Sequence, residues 1–141
     1  MASASLDTNV LVRLIVKDDD QQSLVAAALL AQHAKNSESL FVAVTVMLEL
    51  EWVLRARYTF SKGEVVRALS SLMMAVELVF ESEGPLEQAL ASYEDSRADY
   101  ADCLHLALSA RRGALPFYTF DSNASREMGA KLLEVKRQVN S

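Results

Sequence analysis

The chain has 141 residues, 51% of them hydrophobic and 23% charged, with a net charge of -5. That is enough for a single domain, 1–141, around one sizeable core, and it excludes a disordered chain. Cys103 is the sole cysteine, so an internal disulfide framework is excluded as well. No apolar run is long enough to span a bilayer, and the N-terminus lacks a basic stretch followed by an apolar one. A cytoplasmic protein with no membrane partner is the expectation. The acidic balance argues against a basic nucleic-acid-binding face. Carboxylates gathered around a metal cation would produce the same balance, with the metal supplying the positive charge.

Four Gly and two Pro give little punctuation, which favours helices with short connections. A short strand is expected over 2–6 and a helix over 9–16. The run 17–20 breaks the pattern, and Asp19 or Asp20 can cap a helix running to 34. The apolar, β-branched run 40–44 predicts a buried strand, and Thr45 opens a helix through 57. Ser61 and Glu64 have the spacing of a capping box ahead of a helix to 75. A strand follows over 76–80. Pro85 suits a first helical position, with the helix continuing to 95. Asp99 caps a helix that ends at Gly113. A strand over 117–120, a short helix near Ala124 and a last strand over 131–135 complete the chain. Strands alternating with helices define an α/β class with a mostly parallel sheet of about five strands.

Four acids fall near element boundaries: Asp7, Glu49, Asp102 and Asp121. Open α/β sheets bind ligands outside the carboxyl ends of their strands. Asp7 ends the first strand and Asp121 ends the strand 117–120. Glu49 lies in the first turns of a helix that leaves the same edge. Each acid also has a plain structural role open to it. Asp7 can be an N-cap, although Thr8 would serve equally. Asp102, three residues after Asp99, suits the positive end of a helix dipole. Asp121 can start a turn, with Ser122 or Asn123 capping the short helix.

Glu49 resists such an explanation. Projected at 3.6 residues per turn, it is flanked by Val46, Trp52 and Val53. Glu51 instead has Arg55 one turn on, the spacing of a solvated ion pair. Glu49 is therefore expected on a largely apolar surface, where a carboxylate calls for a cation, a proton or a metal.

The stretches "SLDTNVLVRLI", "TVMLELEWVL", "DYADCLHLALSA" and "FYTFD" together resemble, in order and spacing, the acidic motifs of PIN-domain proteins. The resemblance is strongest to the VapC-type toxins of bacterial toxin–antitoxin pairs and runs almost end to end. It implies a PIN-like α/β/α sandwich and a homodimer. It also implies a ribonuclease dependent on Mg²⁺ or Mn²⁺, with Asp7, Glu49, Asp102 and Asp121 as its acids. Thr8 and Asn9 match the residues that follow the first acid, and Thr119 the one before the fourth. Many relatives carry a further acid two residues after the fourth. Asn123 stands there in this chain, and an amide adds no charge.

The chemistry follows from the donor set. Carboxylates without His or Cys suit Mg²⁺ or Mn²⁺ rather than Zn²⁺. A divalent ion lets a bound water lose its proton more readily and attack an RNA phosphodiester. No side chain stands out as a general base, and His105, near Asp102, fits a surface or packing role. Arg13, Arg97, Arg111 and Arg112 fit a solvated helix face as well as phosphate contact. The resemblance implies an inhibitory antitoxin, and an acidic cleft would receive its Arg or Lys. Two other functions fit the pattern less well. A catalytically silent PIN-fold binding module would have no use for four acids. A phosphotransferase or phosphatase working through Asp7 would need a second Asp where Asn9 stands.

Overall fold

The structure is a computed structural model and describes residues 2–136. Two compact units divide between Glu83 and Gly84.

The N-terminal unit contains β1 (Ala2–Ser5), α1 (Thr8–Ile15), α2 (Asp20–Lys35), β2 (Ser39–Val42), α3 (Val44–Ala56), α4 (Lys62–Met73) and β3 (Leu78–Phe80). The strands form a parallel sheet in the order β1-β2-β3. Ser5 lies opposite Phe41, and Leu40 and Val42 lie opposite Leu78 and Phe80. Parallel neighbours cannot be joined by a tight turn, so each connection carries two helices. All three strands consequently end at one edge, where Asp7 and the start of α3 also lie.

Burial explains why β2 takes the centre. Leu40 and Val42 are fully enclosed, and α3 contributes Met47, Leu50 and Leu54 to the buried core. Each such side chain contributes about 1.5–3 kcal/mol when removed from water. The short α1 adds Leu11 and Val12 to this core.

Side chains close the helix ends. Asp19 accepts a hydrogen bond from the Gln22 N–H at 3.0 Å, capping α2. Ser61 and Glu64 form the expected capping box: Ser61 Oγ accepts from the Glu64 N–H at 3.2 Å, and Glu64 Oε1 from the Ser61 N–H at 3.0 Å. The Ser61 N–H is the main reason the Glu64 carboxyl is held below the usual range. Arg13 is also committed locally. It pairs with Asp18 at 2.8 Å and donates to Gln22 and to the Tyr58 hydroxyl. These bonds occupy a guanidinium that the sequence leaves open to phosphate contact.

The C-terminal unit contains α5 (Glu83–Asp95) apart from its first residue, α6 (Tyr100–Arg111), β4 (Phe117–Thr119), a 3-10 turn (Ala124–Arg126) and β5 (Ala130–Leu132). Tyr93 of α5 meets Tyr100 of α6 edge-on, with ring centroids 5.5 Å apart. The strands β4 and β5 are parallel, with Phe117 opposite Ala130. Gly129 enters β5 at φ +94°, a backbone conformation that L side chains rarely adopt.

The α/β class and the parallel pairing agree with the sequence. Strand grouping differs: the described strands pair as three and two rather than as one sheet of about five. Sequence pattern marks where strands lie but not which ones bond, and β3, β4 and β5 have three residues each. The last strand ends at Leu132 instead of 135. Leu133 donates one further bond to the Thr119 carbonyl, and Val135 beyond it is exposed. The helix α5 starts two residues before Pro85, which still sits in the first turn, where its missing N–H costs nothing. Among the described residues no helix is long and apolar enough to cross a membrane.

Candidate metal centre

In the C-terminal unit, α6 begins after Asp99, and Asp102 is its third residue. Residues three apart on a helix share a face, so both carboxylates lie on one side of its first turn. Asp121 follows β4. Asp99, Asp102 and Asp121 each offer one carboxylate oxygen, and these oxygens lie within 4.8 Å of one another.

The turn after β4 fixes Asp121 from both sides. Thr119 Oγ1 accepts a hydrogen bond from the Asp121 N–H at 2.9 Å. Asp121 Oδ1 accepts from the N–H groups of Asn123 and Ala124 at 2.8 and 3.1 Å. The acid itself therefore closes the 3-10 turn, which the sequence assigned to Ser122 or Asn123. The Asn123 side chain makes no capping bond. A carboxylate has about four lone-pair sites, so two amide bonds leave Asp121 able to bind a cation.

Crowding of like charges shows in Asp102. Burial pushes its carboxyl above the usual range, the charges of Asp121 and Asp99 push it further, and His105 opposes them. His105 itself is exposed, three residues from Asp102 on α6.

Asp99 is the acid that sequence reasoning passed over, because its position explains it as a helix cap. It does occupy the N-cap position, but its side chain makes no capping bond. The signal was present in the Asp-x-x-Asp spacing at a helix start, which sets two acids side by side.

The N-terminal unit holds the other two predicted acids. Asp7 is the N-cap of α1, and its Oδ1 accepts from the Thr8 N–H at 2.8 Å. Asp7 and Asn9 are exposed, while Thr8 is 2% exposed. The Thr8 hydroxyl is the one buried side-chain polar atom without a hydrogen-bond partner among the described residues. Leaving a buried hydroxyl unsatisfied costs about 1–3 kcal/mol.

Glu49 and Glu51 exchange the environments the sequence predicts. The buried stripe of α3 is Met47, Leu50, Glu51 and Leu54, an i, i+3, i+4, i+7 set. Glu51 falls on that stripe at 3% exposure and is ion-paired with Arg55 at 2.8 Å. Glu49 lies off it and is exposed, as is Trp52. Apolar neighbours at helical spacing misled here, because Val46, Trp52 and Val53 are not the residues α3 turns inward. Glu49 thus has a freely accessible carboxylate on the second turn of α3.

The PIN domain family model matches residues 4–128. The chain belongs to the PIN-domain family. Among solved structures it is similar to the Mycobacterium tuberculosis toxin VapC20, described as cleaving the sarcin–ricin loop. Identity is 17%, coverage is 87% of this chain and 93% of that one, and the TM-score is 0.37. A search of curated proteins returns no match.

Proposed function

We propose that the protein is a Mg²⁺- or Mn²⁺-dependent endoribonuclease and the VapC-type toxin of a toxin–antitoxin pair. The observation that carries this reading is the gathering of Asp99, Asp102 and Asp121 carboxylates in a chain of the PIN-domain family. The donors fit a hard divalent cation, since all are carboxylate oxygens. The raised Asp102 carboxyl fits as well, because burial first and then the charges of Asp121 and Asp99 disfavour its charged form, and a cation would offset them.

In this proposal Asp102 and Asp121 would hold a divalent ion, and Asp99 adds charge beside them. Asp7 and Glu49 receive their catalytic role through the resemblance of their stretches to the PIN motifs. Thr8 packs into the core beside Asp7 at the start of α1, and Asn9 stands exposed next to it. Thr119 keeps the Asp121 turn in place, and Asn123 supplies the N–H that Asp121 accepts. When bound, the cation would supply Lewis-acid activation of water and charge stabilisation at phosphorus. The acids themselves place negative charge where that cation is needed and nowhere supply a basic groove. RNA affinity is then expected to depend on the metal. A cytoplasmic location, a homodimer and an antitoxin partner belong to the same proposal through the resemblance of the four acidic stretches.

The test is cleavage of total cellular RNA, with sites mapped for the native chain and for Asp7→Ala. Cleavage should need Mg²⁺ or Mn²⁺, stop in excess EDTA and vanish in the variant. Full cleavage in EDTA, or by Asp7→Ala, overturns the proposal.

A further inference from the structure

We propose that Glu81 is a positioning residue for the acidic site, bracketing Ala43 and thereby fixing the start of the helix that carries Glu49. The inference rests on the assignment of Glu49 to the metal-binding acids.

The start of α3 lacks the usual local device. Its N-cap is Ala43, whose side chain has no acceptor, and no side-chain capping bond forms from that residue. The first N–H groups of a helix have no partner within the helix. Glu81 supplies one from outside. It follows β3 directly, and its Oε1 accepts from the Val44 N–H at 2.8 Å. Its own N–H donates to the Val42 carbonyl at 3.0 Å. One residue therefore holds the chain on both sides of Ala43, at the step from β2 into α3.

The bond is charge-assisted, and the carboxylate sits at the positive end of the α3 dipole. Glu49 is five residues beyond Val44, about 7.5 Å along the axis at 1.5 Å per residue. A change in where the first turn begins would move the Glu49 carboxylate with it. Glu81 is exposed and lies 37 residues from its partner in sequence, so no local pattern marks it.

Three variants test this on the full-length protein: Glu81→Ala, Glu81→Gln and, as a reference, Glu49→Ala. Amide hydrogen exchange at Val44 and Mn²⁺ affinity by calorimetry are both measured. Glu81→Ala should speed exchange at Val44 by about tenfold, the size of a lost cap. It should also weaken Mn²⁺ binding severalfold. Glu81→Gln keeps an acceptor oxygen at the same reach and should restore most of both quantities. If Gln restores exchange but not Mn²⁺ affinity, the carboxylate charge itself matters at the ion, and the positioning role is overturned. Unchanged Mn²⁺ affinity in Glu81→Ala, with Glu49→Ala weakened, overturns it too. Unchanged affinity in Glu49→Ala instead removes Glu49 from the ligand set, a failure of the underlying proposal that the Val44 exchange rate distinguishes.

Discussion

Replacing Asp102 by Asn should stabilise the metal-free protein while removing its activity. Two carboxylates, Asp99 and Asp121, lie within 4.8 Å of the Asp102 oxygen. At that distance each like-charge pair costs about 1 kcal/mol even with the full dielectric constant of water. Two pairs give about 2 kcal/mol. Asp102 also sits in the first turn of α6, where a negative charge gains about 0.3–1 kcal/mol from the helix dipole. Repulsion wins, and a net gain of about 1 kcal/mol is expected, roughly 2–4 °C in melting temperature. The sign with pH is fixed by the raised Asp102 carboxyl. The folded state holds that proton more tightly than the unfolded state, whose ordinary value is 3.8. Stability from this group is therefore greatest below 3.8 and falls as pH rises through the higher folded value. The advantage of Asn should open across that window and persist at neutral pH. Thermal unfolding by circular dichroism, in EDTA at several pH values and two salt concentrations, measures it. Salt near 1 M should shrink the difference by screening. Mn²⁺ at about 100 times its Kd should stabilise the native chain by about 2.7 kcal/mol and the Asn variant by much less. A native chain more stable than the variant in EDTA at neutral pH would refute the electrostatic reasoning.

Three further outcomes are expected. Arg55→Ala should cost about 1.5–3 kcal/mol by urea unfolding, because it removes the 2.8 Å hydrogen bond of Arg55 to a carboxylate on the buried stripe of α3; a loss below about 0.5 kcal/mol would show the pair to be incidental. In a complex with the proposed antitoxin, an Arg or Lys of that partner should stand against Asp7 or against Asp102, and a complex leaving both acids untouched would contradict this. Sedimentation well above micromolar concentration should give twice the chain mass, whereas a strictly monomeric mass would remove the homodimer from the proposal.

Much of this architecture was legible because it is local. The capping box at Ser61, the Asp19 cap and the helix lengths depend on neighbours within one turn, and they appear within a residue or two of their expected places. The family was legible because four acids, each ambiguous alone, share an order. What was hidden depends on contacts distant in sequence. Glu81 meets Val44 across 37 residues. The pairing of strands as three and two is a choice among partners that no single run encodes. The exchange of Glu49 and Glu51 shows a subtler failure. Leu50, Glu51 and Leu54 form the inward stripe, and Arg55 at the right spacing made Glu51 look like a surface residue when it marks the edge of the core.

The turn closed by Asp121 carries a consequence for how such proteins change over time. Its scaffolding duty is performed by an acceptor oxygen facing two amides, a duty that the carbonyl of Asn fulfils equally well. A mutation there can delete negative charge without unravelling the loop. Screens for folding or expression would pass such a chain as intact. Under the proposed metal role of Asp121, one base change would give a chain that folds as its parent does and differs from it only in an assay of chemistry.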